Sequence, residues 1–361
     1  MLELVASYLA QVLYRLARLP FSLVNHLRYR ASLIFASTID DQSQPTADFA
    51  RTLAECRYRL DDGTSSSLTL PDGRNLGYAQ YGVRVGHAVF YLHGYPGSRI
   101  EAASFDPIAA RLGVRIIAVD RPGIGWSSPH PNRTILDHAK DIEYLAKQLE
   151  LCSYGVLGIS GGGPYALACA AALPTNELKA ISIVCGLGPP NMGYREMCWS
   201  NFIGFTLATQ YFPGLIRWWV GREPANRLDL TDEDRFGRLQ RATLKDKSKT
   251  HPKDFAVFSD VDSTLLYLNS SRDSFCQGFD GFLQDGKLIS NDFGFRIDDI
   301  RSDLPVQLWY GKLDVYVPLS HGEQIAARLG PNAHLNREDE THASISSVRK
   351  EEILRDLVRI M

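Results

Sequence analysis

Tyr154-Gly155-Val156-Leu157-Gly158-Ile159-Ser160-Gly161-Gly162-Gly163-Pro164-Tyr165-Ala166-Leu167-Ala168 is the stretch on which the reading of this chain turns. The apolar run Tyr154 to Leu157 suits a short buried strand. The alanine-rich run from Gly161 suits a helix with Pro164 in its first turn, where a missing amide hydrogen is harmless. Between them stands Gly-x-Ser-x-Gly. Small residues at Gly158 and Gly162 permit a sharp strand-to-helix turn that holds Ser160 in a strained conformation, its hydroxyl projecting from the top of a sheet. The N–H of Gly161, at a helix N-terminus, has no intrahelical acceptor and is aimed at any oxyanion forming on a carbonyl that the serine attacks. Alone, the pentapeptide is weak evidence, because a glycine-rich turn explains it equally well.

Its partners decide. A serine hydroxyl needs a general base, and the base needs an orienting carboxylate. Asp314 follows the apolar strand Val306 to Tyr310 through Gly311-Lys312-Leu313, and Val317-Pro318 closes the loop. His342 follows a strand-like stretch around His334 to Asn336 and an acidic loop ending Glu340-Thr341. Both sit just past the C-terminal ends of predicted strands, where open α/β sheets place their ligand sites. Asp298, Asp299 and Asp303 lack that spacing, and Asp339 and Glu340 read as solvated loop carboxylates. His26, His87, His130, His138, His251, His321 and His334 have no motif around them and read as surface or satisfied core histidines.

With these residues the chain resembles the α/β-hydrolase family, in particular its branch with a helical cap and an HG-x-P oxyanion motif, over residues 65 to 361. The motifs are His93-Gly94-Tyr95-Pro96-Gly97 after the strand Ala88 to Leu92, Asp120-Arg121-Pro122-Gly123-Ile124-Gly125 after the strand Ile116 to Val119, the serine elbow, Gly311 to Asp314, and the late His342. The chain order Ser, Asp, His is the family's. The resemblance implies that the backbone N–H of Tyr95 joins that of Gly161 as second oxyanion donor. It also implies that His93 and Gly94 support the oxyanion loop and that the Asp120 segment is structural. Epoxide hydrolase and dehalogenase branches fit less well, since they carry Asp where this chain has Ser160.

Strands and helices alternate along the rest of the chain: a hairpin at Ser67 to Leu70 and Leu76 to Tyr81, helices near Ala102 to Leu112 and Ile135 to Leu149, and a strand at Ala180 to Cys185. Helices are also expected at Ser320 to Leu329, with a serine N-cap and Gly330 at the C-terminus, and at Val348 to Ile360. The alternation predicts an α/β fold with a mostly parallel central sheet and helices on both faces. It breaks at a long insertion rich in aromatics, including Trp199, Phe202, Phe205, Tyr211, Phe212, Trp218 and Trp219. The expected organisation is an N-terminal amphipathic segment and linker at 1–50, a hydrolase core at 51–186 and 302–361, and a helical cap insertion at 187–301. Most cap aromatics are expected to pack the cap on itself. An aminopeptidase would need a cap carboxylate for the substrate ammonium, and Glu196, Asp254 and Asp260 are candidates of equal standing.

Within residues 1–36 the spacing of Leu2, Val5, Leu9, Val12, Leu13 and Leu16 is helical, with Arg15 and Arg18 among them. No stretch offers about 18 uninterrupted apolar residues, and Met1-Leu2-Glu3 lacks a secretory n-region. The segment therefore reads as a mitochondrial targeting peptide, an interfacial helix giving peripheral membrane contact, or an accessory helix on the hydrolase body. A net charge of -2 gives no footprint for nucleic acid. Six cysteines without C-x-x-C spacing read as reduced and mostly buried in an intracellular protein, so no disulfide framework, metal or cofactor is implied. The expected activity is serine hydrolysis of an ester, thioester or amide in a small, largely apolar substrate. A noncatalytic receptor or scaffold, and a lyase or C–C hydrolase on the same triad, stand as alternatives.

Overall fold

Period-two alternation along the strands dictates a sheet that must be covered twice. Phe90, Val156 and Leu308 pack into one buried cluster while their chain neighbours Tyr91, Leu157 and Trp309 pack into another. The structure, a computed structural model, describes residues 49–361. The amphipathic segment 1–36 and the rest of the chain to residue 48 lie outside the described residues.

In chain order, helix α1 (Phe49–Ala54) precedes the hairpin β1 (Ser65–Thr69) and β2 (Asn75–Gly82). Next come β3 (His87–Leu92), a 3₁₀ segment Arg99–Phe105, α2 (Asp106–Leu112), β4 (Val114–Val119) and α3 (Ile135–Gln148). Then follow β5 (Tyr154–Ile159), α4 (Gly163–Ala172) and β6 (Leu178–Val184). The insertion contributes α5 (Trp199–Ile203), which runs through a π-helical turn Gly204–Ala208 into α6 (Thr209–Tyr211), then α7 (Pro213–Val220) and α8 (Asp232–Lys245). It closes with α9 (Pro252–Phe258), α10 (Val261–Phe275) and α11 (Asp280–Ile289). The core resumes with β7 (Val306–Gly311), α12 (Leu319–Leu329), β8 (Ala333–Glu338), α13 (His342–Val348) and α14 (Lys350–Ile360).

The eight strands form one sheet in the order β1-β2-β4-β3-β5-β6-β7-β8. The two pairings that involve β2 are antiparallel and all others parallel. Residues of α3, α4 and α12 share one cluster, and those of α2 and α14 the other, so helices cover both faces as the alternation predicts. The strand order reverses between β4 and β5, on either side of β3, and the crevice at such a switch point receives the loops after β3 and β5.

Several local expectations shift. The helix expected from Ala102 divides into a 3₁₀ segment and α2, because Pro107 cannot sit inside an α-helix and occupies the first turn of a new one. Pro318, not Ser320, stands at the N-cap of α12, and the Ser320 hydroxyl donates instead to Glu196 at 2.7 Å. The last helix, expected at Val348 to Ile360, is α14 (Lys350–Ile360), and a further short helix, α13, precedes it at His342–Val348. Only Cys169 and Cys185 are buried, whereas Cys152 and Cys276 are exposed, so the cysteines are not mostly buried; all six are free. Of the insertion aromatics, Tyr211 and Phe212 are 68% and 55% exposed, so these two do little to pack the insertion on itself, whereas the Trp218 ring lies 4.1 Å under the Arg222 guanidinium of the same insertion.

Candidate active site

Ser160 directly follows β5 with φ +52°, a left-handed conformation that a residue bearing a side chain rarely adopts, and the sharp turn there lifts its hydroxyl off the sheet. Close approach explains the flanking glycines. A Cβ on Gly162 would lie 2.1 Å from the Leu92 carbonyl oxygen, and one on Gly158 2.5 Å from that of Gly162. The elbow is thus pressed directly against the end of β3.

The structure brings Asp314 and His342 to this serine. His342 Nε2 lies 3.0 Å from Ser160 Oγ, and Nδ1 lies 2.7 Å from Asp314 Oδ2. With Nδ1 donating to the carboxylate, Nε2 is free to accept the serine proton. The other carboxylate oxygen accepts the Tyr316 and Val317 amides at 2.7 and 2.9 Å, and the Asp314 side chain is fully buried. Burial opposes charge on the His342 imidazole, but the Asp314 carboxylate outweighs it and holds the pKa well above its ordinary value. His342 is the first residue of α13, whose N-cap Thr341 accepts the Ser344 amide. Tyr316 packs edge-on against the imidazole at 5.6 Å.

The loop after β3 carries the other expected residues. A Cβ on Gly161 would lie 3.1 Å from the Tyr95 nitrogen, so the two amides expected to act as donors are neighbours. His93 is fully buried, and burial followed by the adjacent Arg121 pushes its pKa far down, so it stays neutral. Its Nε2 accepts the Arg121 amide at 3.4 Å, leaving Nδ1–H to donate to the Gly94 carbonyl at 3.0 Å. The Gly94 N–H donates to Glu101 at 3.1 Å, and Tyr91 Oη donates to the same carboxylate at 2.7 Å. The Arg121 guanidinium donates to the carbonyls of His93 and Gly94 at 2.6 and 2.7 Å, and its Nε donates to Asp285 of α11 at 2.8 Å. Asp120 is buried against Arg99, in keeping with a structural loop.

The family model described as alpha/beta hydrolase fold matches residues 87–345. The chain belongs to the α/β-hydrolase fold family. It is 34% identical over 115 residues to a proline iminopeptidase of Arabidopsis thaliana, covering 30% of this chain and 29% of that protein. It is 33% identical over 119 residues to a non-heme chloroperoxidase of Streptomyces lividans, covering 32% of this chain and 43% of that one. The chain thus matches less than half the length of these curated relatives. Among solved structures, an alpha/beta hydrolase fold protein from Nakamurella multipartita superposes with a TM-score of 0.57 at 20% identity, over 82% of this chain and 99% of that one.

In this α/β-hydrolase the insertion walls a cavity of about 950 Å³. Its lining includes Ile159, Val315 and Ala343, chain neighbours of Ser160, Asp314 and His342, together with Trp199, Leu239 and Phe258 of the insertion. The candidate cap carboxylates already have partners: Glu196 accepts from Ser320, Asp254 from Thr341 Oγ1, and Asp260 from Arg57. Among the described residues, the donor atoms of Cys185, Asp314 and His342 lie within 4.8 Å of one another, but two of these groups are already bonded together. No helix among the described residues is long and apolar enough to cross a membrane.

Sequence reasoning did not find Glu101, Asp285, or Cys185, whose Sγ lies 4.0 Å from His342 Nε2. It also read Glu340 as solvated, whereas it is buried and bonded to Lys253 and Ser344. A carboxylate beside apolar residues, as in Phe282-Leu283-Gln284-Asp285, was the available signal for Asp285.

Proposed function

We propose that this protein is a serine hydrolase that cleaves an ester, thioester or amide of a small, largely apolar substrate through an acyl-enzyme. The hydrogen-bonded chain Ser160–His342–Asp314 carries this reading. Ser160 Oγ attacks the carbonyl carbon while His342 Nε2 takes the hydroxyl proton. Asp314 holds the tautomer and stabilises the imidazolium. The N–H groups of Tyr95 and Gly161 receive the oxyanion, each donor being worth about 3 kcal/mol of barrier. His342 then gives the proton to the leaving group, and a water repeats the sequence to release the acid.

The insertion acts as a cap: the cavity it walls is within the usual size for a small ligand and mixes aromatic with polar lining. Peptidase and chloroperoxidase names among the partial relatives do not choose a substrate, and the committed cap carboxylates weigh against an ammonium subsite at Glu196, Asp254 or Asp260. The test is turnover of p-nitrophenyl esters of graded chain length and of aminoacyl naphthylamides by wild type and Ser160→Ala. Fluorophosphonate labelling is read beside it. Ester turnover and labelling that both vanish in Ser160→Ala are expected. Turnover surviving in Ser160→Ala would overturn the assignment.

A further inference from the structure

The proposed oxyanion donor, the Tyr95 N–H, belongs to the same rigid peptide unit as the Gly94 carbonyl, because the amide bond is planar. Whatever holds that oxygen therefore aims that hydrogen. Arg121 holds it: one guanidinium nitrogen donates to Gly94 O at 2.7 Å, the other to His93 O at 2.6 Å. Each of these peptide units has a second anchor. The His93–Gly94 unit donates its N–H to Glu101, and Gly94 O also accepts from His93 Nδ1. A cation on the carbonyl also draws electron density from the amide and strengthens its N–H as a donor.

Arg121 is 1% exposed and needs an anion of its own. That anion comes from outside the core. Asp285, on insertion helix α11 and 1% exposed, accepts from Arg121 Nε at 2.8 Å through one oxygen and from Arg133 at 2.9 Å through the other. The same helix presses on Tyr95 itself: the Phe282 ring stacks on the Tyr95 ring at 4.6 Å and 2°, and a Cβ on Gly286 would lie 2.2 Å from the Tyr95 hydroxyl. Charge and packing thus converge from one helical face on one peptide unit.

We infer that Asp285 is a positioning residue for the hydrolysis, acting through Arg121 on the Gly94–Tyr95 peptide, so that the oxyanion donor is in place only while α11 is docked. The inference rests on the serine-hydrolase reading, and it makes the cap part of the catalytic geometry as well as the pocket wall.

The experiment compares wild type, Asp285→Asn and Gly286→Ala, with active sites counted by fluorophosphonate burst. An alkyl trifluoromethyl ketone is the probe: Ser160 Oγ bonds to its carbonyl carbon, the hydroxyl proton passes to His342, and the carbonyl oxygen becomes an alkoxide in the oxyanion hole. The matching methyl ketone reports binding without the adduct. In Asp285→Asn, kcat per site should fall about 10- to 100-fold with KM within about threefold. Affinity for the trifluoromethyl ketone should fall by the same factor, with methyl ketone affinity and the acidic pH limb unmoved. Gly286→Ala, which pushes on Tyr95 without changing charge, should show the same pattern and decides the matter if Asp285→Asn does not fold. Asp141→Asn weakens the half-buried pair with Arg74, 2.7 Å apart, and should lower stability without changing the inhibitor ratio. Wild-type trifluoromethyl ketone affinity in a folded Asp285→Asn or Gly286→Ala would overturn the inference. A wild type that forms no adduct overturns the hydrolase reading instead, and this one with it.

Discussion

Gly162→Ala tests the elbow where it is tightest. The new methyl would sit 2.1 Å from the Leu92 carbonyl oxygen, 2.8 Å from its carbon and 3.0 Å from the His93 oxygen. All three are backbone atoms, so no side chain can rotate away, and ordinary contact near 3.4 Å requires the elbow and the end of β3 to part by about 1.3 Å, the shortfall at the nearest atom. Overpacking of this kind costs about 1–3 kcal/mol, and the rigid walls put this case near the upper value. At about 2 °C per kcal/mol for a chain of this size, the melting temperature should fall by about 4–6 °C. The displacement separates Ser160, the proposed nucleophile, from the loop that bears Tyr95, and a shift of about 1 Å at a reacting centre costs about 100-fold in rate. Differential scanning calorimetry and kcat/KM on a p-nitrophenyl ester measure both. Gly204→Ala is the comparison, because a Cβ there meets nothing within 4 Å; its Tm should hold or rise. A Gly162→Ala protein that melts within 1 °C of wild type (about 0.5 kcal/mol on the same scale) and keeps full activity would refute the argument.

Loss of the proposed base should be severe: His342→Ala is expected to lower kcat by several orders of magnitude, and Asp314→Asn by about 10⁴ through the wrong tautomer, both read by steady-state kinetics. Because Asp314 holds the His342 pKa above its ordinary value, kcat/KM should fall as pH drops through that raised value, and a pH–rate profile of any residual Asp314→Asn activity should show the limb moved to lower pH. A raised folded-state pKa also means that the pair's contribution to stability is complete below about pH 6.5 and is lost as pH rises through the folded value, which urea melts of wild type and Asp314→Asn across pH 5 to 9 should reveal. Asp254→Ala removes the insertion's bond to Thr341, the cap of the helix that begins at His342; about 1–2 kcal/mol of stability and a several-fold loss in kcat are expected in denaturant melts and kinetics. Thiol titration should find Cys152 and Cys276 reactive first and Cys169 and Cys185 silent until the protein is denatured.

The legible parts were those whose signal is local. Ser160 announced itself because an elbow needs small residues at fixed offsets, and Gly311 to Asp314 because a strand followed by a tight loop leaves a composition mark. His342 was legible as a polar residue past the last strand, although the helix it opens was not, since Thr341 and Ser344 form a capping box without the usual Glu or Gln. The position of Pro107 was visible, and the break it imposes between the 3₁₀ segment and α2 follows from its missing amide hydrogen. Arg121 lay inside a recognised motif, but nothing around it in sequence said that its guanidinium turns toward the carbonyls of His93 and Gly94.

By itself the sequence determined that strands alternate with helices, that the sheet is buried on both faces, and which serine, aspartate and histidine are in order to meet, because side-chain periodicity and turn chemistry act over a few residues. Only the tertiary structure decided that Asp285, 164 residues along the chain from Arg121, meets its guanidinium beneath the loop after β3, and that Asp254 and Lys253 pin the segment leading to His342. Buried charges seek partners in space irrespective of chain separation, and a carboxylate on an insertion helix carries no local mark of the arginine it will neutralise.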